Sequence, residues 1–323
     1  MPLLSSIDKY KDYMGESPRP EDFDQFWQDS LKDLREHTKP GYALKKREFL
    51  EKGIEQFDLF FEGTFGANIH CLYIRPKEIK NKIPGIVFFH GYGSSTKGPF
   101  EYLPYVYNDI AVLAMDVRGQ GGYSTDPWYG NGPSYYGQYI RGLEDDDITK
   151  LFARNIYLDG VKAVETLMSM EEVDETRIGI NGKSQGGALT IASSALVKGV
   201  KVITPTYPFM SDIKHTIKED LLDISQFNEF NEFFRRHDPK HEKEDEVFRK
   251  LSYVDIQNFA DKITAKVHWT LAFKDENCHP STQFATYNKI KSEKEMIIYP
   301  DYGHEPQLLF QDNDLFQFYL KNL

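Results

Sequence analysis

The run Arg177-Ile178-Gly179-Ile180-Asn181-Gly182-Lys183-Ser184-Gln185-Gly186-Gly187-Ala188-Leu189-Thr190-Ile191-Ala192 decides the architecture. Its first five residues read as a short buried strand and its last six as a helix packed with small side chains. Gly182-x-Ser184-x-Gly186 therefore stands at a strand–turn–helix junction, the setting of a nucleophile elbow. Such a turn is tight and strained, and its two glycines let strand and helix approach closely while the serine hydroxyl is pushed up toward a substrate. The pentapeptide alone arises by chance in about one chain in ten of this length, so its meaning rests on the segments around it.

Working outward, short, mostly apolar runs alternate with longer segments. Ile86-Val87-Phe88-Phe89 and Ala111-Val112-Leu113-Ala114-Met115 precede the elbow; Val200 to Ile203, Val267 to Phe273 and Met296 to Tyr299 follow it. Continuous apolar strands are what a parallel sheet covered on both faces requires. Leu158, Val161, Val164, Leu167 and Met168 recur at near-helical spacing, and further helices are expected from about Ser281 to Ile290 and around Leu308 to Leu320. The alternation predicts a doubly wound, mostly parallel α/β sheet. Ahead of it, Phe23, Phe26, Trp27, Leu31 and Leu34 mark an amphipathic helix. Glu55 to Glu62 and Asn68 to Arg75, around Gly63-Thr64-Phe65-Gly66, read as two antiparallel strands forming one edge of the sheet.

One section breaks the alternation. Residues 211–261 are mostly charged and aromatic, with Phe227, Phe230, Phe233 and Phe234 beside Arg235, Arg236, Lys240 and Lys243. They read as helices inserted between the fourth and fifth parallel strands, either a cap over the site or an exposed decoration. The expected organisation is a single domain over 1–323, with the N-terminal helix and strands in 1–83 and the insertion at about 211–261.

The formal charge of −11, from 50 acidic and 39 basic residues with no sustained basic stripe, argues against a nucleic-acid partner. Met1 to Tyr10 lacks a basic region followed by an apolar run, so no secretory signal is expected. No stretch approaches the roughly 18 apolar residues of a membrane span. Cys71 and Cys278 cannot build a disulfide framework and suit a reducing cytoplasm, which is the expected location.

A serine hydroxyl needs a base to take its proton, and the base needs a carboxylate to fix its tautomer. In an α/β hydrolase these follow the serine in the order acid, then histidine. Asp275 follows the strand ending at Phe273, and His304 follows the strand ending at Tyr299, 29 residues later, which leaves room for one helix and one strand. Glu276 is the competing acid; Asp301 lies too near His304 on the same loop. His268 falls inside a strand and reads as a core residue. His237 and His241 are separated by Pro239, and the zinc pattern H-E-x-x-H is absent, so no metal and no cofactor is expected. The oxyanion calls for preorganised donors: the backbone amide of Gln185, and that of Tyr92 in Phe88-Phe89-His90-Gly91-Tyr92-Gly93, unless these glycines form a plain loop. Within Asp116-Val117-Arg118-Gly119-Gln120, Arg118 and Gln120 either brace the elbow or satisfy a turn. The run Glu144-Asp145-Asp146-Asp147 is assigned no chemistry.

Together, Arg118-Gly119-Gln120, Gly182-x-Ser184-Gln185-Gly186 and His304-Glu305, with Asp275 ahead of Pro280-Ser281-Thr282-Gln283-Phe284, resemble the acetyl xylan esterase/cephalosporin-C deacetylase family, carbohydrate esterase family 7. The resemblance runs over nearly the whole chain. It implies an α/β-hydrolase fold and a triad of Ser184, Asp275 and His304, with the amides of Tyr92 and Gln185 receiving the oxyanion and no metal required. It further implies removal of acetyl groups from short xylo-oligosaccharides and cephalosporins, and a hexamer whose sites face an internal cavity. Lys183 departs from the family, where a small residue such as Gly or Ala is common. The same elbow serves longer-chain esterases and peptidases, and a carbohydrate-binding relative without catalysis is the remaining alternative.

Overall fold

The structure is a computed structural model and describes residues 7–48, 53–130, 132–218 and 228–323. Among the described residues nine strands form one sheet in the order β1-β2-β3-β5-β4-β6-β7-β8-β9. They are β1 (Ala43–Arg47), β2 (Ile54–Glu62), β3 (Asn68–Pro76), β4 (Ile83–Phe89), β5 (Ala111–Met115), β6 (Val173–Lys183), β7 (Val200–Thr206), β8 (Lys266–Ala272) and β9 (Lys294–Tyr299). From β5 to β9 across the sheet every pairing is parallel, whereas β1, β2 and β3 pair antiparallel and join the rest through β3 and β5.

In the inner strands the apolar runs are continuous because both faces are covered. Along β5, Ala111, Leu113 and Met115 enter one core cluster while Val112 and Ala114 enter the other, which is the two-residue period of a strand applied to two buried surfaces. Helix α1 (Phe23–His37) buries Phe23, Trp27 and Leu34, and the Trp27 indole donates to the Tyr253 carbonyl. Next come α2 (Leu103–Val106), α3 (Phe152–Met168) and α4 (Gln185–Leu196). Helices α5 (Ile213–Lys218), α6 (Asn228–His237) and α7 (Glu244–Ser252) follow β7, and α8 (Pro280–Lys289) and α9 (Gln311–Asn322) complete the chain.

Three features differ from the sequence reading. Strand β1 is fully exposed, so it carries no burial pattern to betray it, and it pairs with β2 from Ala43 opposite Phe60 to Arg47 opposite Gln56. The last helix begins at Gln311 rather than near Leu308, because Phe310 just before it adopts a left-handed φ of 65°. The described helices inserted after β7 are anchored rather than merely exposed: Phe230, Phe233, Phe234, Val247 and Leu251 are buried in the main core. Phe227 lies outside the described residues.

The chain passes from β4 to β5 on one side and then to β6 on the other side of β4. A doubly wound sheet opens a crevice at the carboxyl ends of the strands where the order reverses in this way. The loop after β4 and the turn after β6 meet there.

Candidate active site

Ser184 sits between β6 and α4 with φ 55° and ψ −117°, a backbone conformation that costs a non-glycine residue on the order of 1–3 kcal/mol. The surroundings hold it there from both sides. Its amide donates to the Thr206 carbonyl at 3.0 Å, and its own carbonyl accepts from Phe209 and Ala188, each at 3.1 Å. A Cβ on Gly182 would lie 2.1 Å from the Gly186 carbonyl oxygen, and a Cβ on Gly186 would lie 2.1 Å from that of Phe89. The glycine spacing is thus a steric requirement of backbone meeting backbone. Gln185 opens α4, where the first amides of a helix have no intrahelical acceptor.

The loop after β4 is held by side chains. Half-buried His90 donates from Nδ1 to the Gly91 carbonyl at 2.8 Å and accepts the Val117 amide at Nε2 at 2.9 Å, which fixes its tautomer; desolvation also pushes its pKa down, favouring the neutral ring. Gln120 Oε1 accepts the Gly93 amide at 3.0 Å. Gln120 and Gln185 form a reciprocal amide pair at 2.8 and 3.1 Å. Gln120 also donates to Gln138 at 2.8 Å, the Gln138 amide donates to the Tyr92 hydroxyl at 3.1 Å, and the Tyr139 hydroxyl donates to Gln185 at 3.1 Å. The two expected oxyanion donors, at Tyr92 and Gln185, therefore belong to segments tied by one buried glutamine network.

Asp275 and His304 meet across the loops after β8 and β9. His304 Nδ1 lies 2.8 Å from Asp275 Oδ2, while Asp275 Oδ1 accepts the amides of Asn277 at 2.9 Å and Cys278 at 2.7 Å. With Nδ1 donating to a carboxylate, the other ring nitrogen is the one left to take a proton. The Tyr207 ring stands 4.6 Å from that of His304, and its hydroxyl donates to the Glu305 carbonyl at 2.7 Å. Ser184, His304, Tyr92 and Tyr207 all line one cavity of about 860 Å³.

Of the competing readings, Glu276 is exposed, and Asp301 pairs with Lys274 at 2.7 Å. His268 is buried against Phe318 and bonds Glu295 at 2.9 Å, away from the cavity. His237 pairs with Glu144 at 2.7 Å and His241 stacks on Phe234, so these two do not share a site. Within the Arg118-Gly119-Gln120 motif only Gln120 reaches the elbow. Arg118 clamps Asp159 of α3 at 2.6 and 2.7 Å and bonds the Thr64 carbonyl at 3.1 Å, holding the β2–β3 turn against the helix. No described residue of 211–261 lines the cavity.

The sequence reading missed four contributors. Gln138 and Tyr139 lie in an irregular segment without periodicity, and Tyr207 gave no signal at the end of β7. Cys278, read only as an unpaired thiol, lies in the site: ligand atoms of Asp275, Cys278 and His304 are all within 4.8 Å of one another, and the Ser184 side chain is a hydrogen-bond partner of the thiol. Among the described residues, these three form the group that could hold a metal ion. Burial pushes the Cys278 thiol well up, which favours the neutral thiol as a hydrogen-bonding neighbour of Ser184 when no metal is bound.

A serine at a strained strand–turn–helix elbow, with an acid and then a histidine on later loops of a doubly wound sheet, defines an α/β hydrolase. The acetyl xylan esterase (AXE1) family model matches residues 1–322, and the chain belongs to that family. It is similar to acetyl xylan esterase 1 from Thermoanaerobacterium sp. JW/SL YS485, at 42% identity and a TM-score of 0.91 over 98% of both chains. An acetyl xylan esterase from Paenibacillus sp. R4 superposes with the same TM-score of 0.91 at 32% identity, over 98% of this chain and 99% of its own. Acetyl esterase Axe7A of Xylanibacter ruminicola is 26% identical over 290 residues, which is 88% of this chain and 63% of that protein, so this chain spans under two thirds of the length of that curated relative. The acylaminoacyl peptidase of Pyrococcus horikoshii, at 18% identity and a TM-score of 0.61, over 83% of this chain and 40% of its own, shares the fold alone. Among the described residues no helix is long and apolar enough to cross a membrane.

Proposed function

We propose that this chain is a serine esterase that removes O-acetyl groups from small substrates, with Ser184 as nucleophile, His304 as general base and acid, and Asp275 orienting the imidazole. The observation that carries the reading is the 2.8 Å bond between buried Asp275 and Nδ1 of His304, whose ring lines the same cavity as Ser184. Membership of the acetyl xylan esterase family supports acetyl as the acyl group.

In this mechanism Ser184 attacks the acetyl carbonyl while His304 takes its proton. The amides of Tyr92 and Gln185 receive the oxyanion, each such donor contributing on the order of a hundred- to a thousandfold in rate. His304 returns the proton to the departing alcohol, and water activated by the same ring releases acetate from the acetyl-enzyme. Apart from that water, Ser184, His304, Asp275 and the two amides are the groups that the two half-reactions use.

The substrates are short acetylated xylo-oligosaccharides and acetyl esters of the cephalosporin C type. The assembly is a hexamer, to be checked by its mass in solution, where a monomer rejects it. Side-by-side hydrolysis of p-nitrophenyl acetate, butyrate and octanoate tests the acyl preference: a steep preference for acetate is expected. Equal or faster turnover of octanoate overturns the deacetylase reading in favour of a broader carboxylesterase or a peptidase. Failure of Ser184 to react with a fluorophosphonate overturns catalysis altogether and leaves a carbohydrate-binding relative.

A further inference from the structure

Beside the catalytic groups, the cavity holds charge that the reaction as described does not use. Lys183, the residue before Ser184, lines it together with Lys97, Glu101 and Asp312. The Lys183 side chain is 24% exposed, and its ion-pair partner Asp312 stands 3.7 Å away, well beyond the 2.7–2.9 Å or so of a charge-assisted hydrogen bond. Lys97 lies close enough to repel it, and burial pushes the Lys183 pKa down. Lys97 pairs with Glu101 at 3.3 Å, its side chain 61% exposed. The acids facing these ammonium groups are solvated: Asp312 is 63% exposed and Glu101 50%. Exposed carboxylates are screened and readily displaced, whereas an ammonium removed from water and poorly paired gains more from a well-placed anion.

We propose that Lys183, aided by Lys97, forms a carboxylate-binding subsite, so that the preferred substrates are acetyl esters of acidic alcohols, such as oligosaccharides bearing a uronate. This rests on the deacetylation reading, because an acetyl group carries no charge and the carboxylate must then belong to the alcohol. The substrate carboxylate takes the place that Asp312 fills weakly. Lys183 is a specificity-determining residue; it moves no proton in the reaction.

The test compares kcat/KM for para-acetoxybenzoate with that for para-acetoxybenzamide, an anionic and a neutral ester of similar size. Their ratio cancels effects common to both, including any general damage to the elbow. Lys183→Met is expected to lower the anionic-to-neutral ratio about tenfold, as the loss of one charged hydrogen bond does at its weaker limit. Asp312→Asn removes the competing anion and is expected to raise the same ratio a fewfold; it also decides the matter if Lys183→Met fails to fold. A ratio unchanged in the folded variants, with the neutral ester still hydrolysed, overturns the subsite and leaves the deacetylase reading standing. Hydrolysis of neither ester by the unaltered protein overturns both.

Discussion

The elbow and the loop after β4 face each other across the crevice and are held by opposite means. At the elbow, backbone packs on backbone: a Cβ at Gly182 or Gly186 would overlap a carbonyl oxygen at 2.1 Å. In the loop, a Cβ at Gly93 would find nothing nearer than Tyr135 Cδ1 at 3.9 Å, and position comes instead from His90, Gln120 and Gln138. Steric restraint is local, and it prints itself in the sequence as a spacing of glycines. Restraint by a side-chain network depends on partners far apart in the chain and prints nothing so regular.

The largest expected effect leaves the elbow's shape alone and removes its hydroxyl. Ser184→Ala should lower kcat by on the order of 10⁴-fold or more, with an unchanged thermal midpoint; most of the activity surviving would show that the elbow presents no nucleophile. Gly186→Ala attacks the shape itself. The overlap with the Phe89 carbonyl predicts at least about 3 kcal/mol of destabilisation, read by denaturant unfolding, and a near-neutral result would refute the steric account.

On the loop's side, Glu229 of α6 accepts the Tyr139 amide at 3.0 Å. Burial, the largest cause, raises its pKa to about 7. The native state thus holds a proton that the unfolded chain releases near pH 4.5, so this group's contribution is fully present below about pH 4.5 and lost as pH rises to about 7. Relative to Glu229→Gln, the unaltered protein should lose as much as about 3 kcal/mol over that window; parallel stability–pH curves would reject it. Gln120→Ala cuts the network between loop and elbow. Unpaired amides at Gln185 and Gln138 should cost about 1–3 kcal/mol, and acetate-ester turnover should fall further than stability alone explains. The smallest effect belongs to Gly93→Ala, where open space leaves only the φ of +69° to oppose a side chain, a cost of about 1 kcal/mol. A loss as large as that of Gly186→Ala would erase the contrast between the two regions.

What was legible followed the same division. The inner strands β4 and β5 were readable because both faces are buried, so their apolar runs are unbroken; β9, half-buried at the edge, was readable from its apolar residues alone. Strand β1, with every residue exposed, was invisible. Asp275 and His304 were readable by their order after late strands. Cys278, the Gln138 tether and the Glu229 support were not, because nothing in their neighbours' spacing says what they will touch.

By itself the sequence determined the doubly wound sheet, the elbow and the residue types of the site, since alternation of apolar runs and the spacing of glycines are consequences of local geometry. Only the tertiary structure decided which of the braces Arg118 and Gln120 reaches the elbow, that apolar side chains of α6 and α7 are buried in the core, and that Lys183 looks into the cavity toward Asp312. The reason is physical: hydrogen bonds and charge pairs between residues dozens of positions apart depend on how the sheet brings loops together, and no period along the chain records that distance.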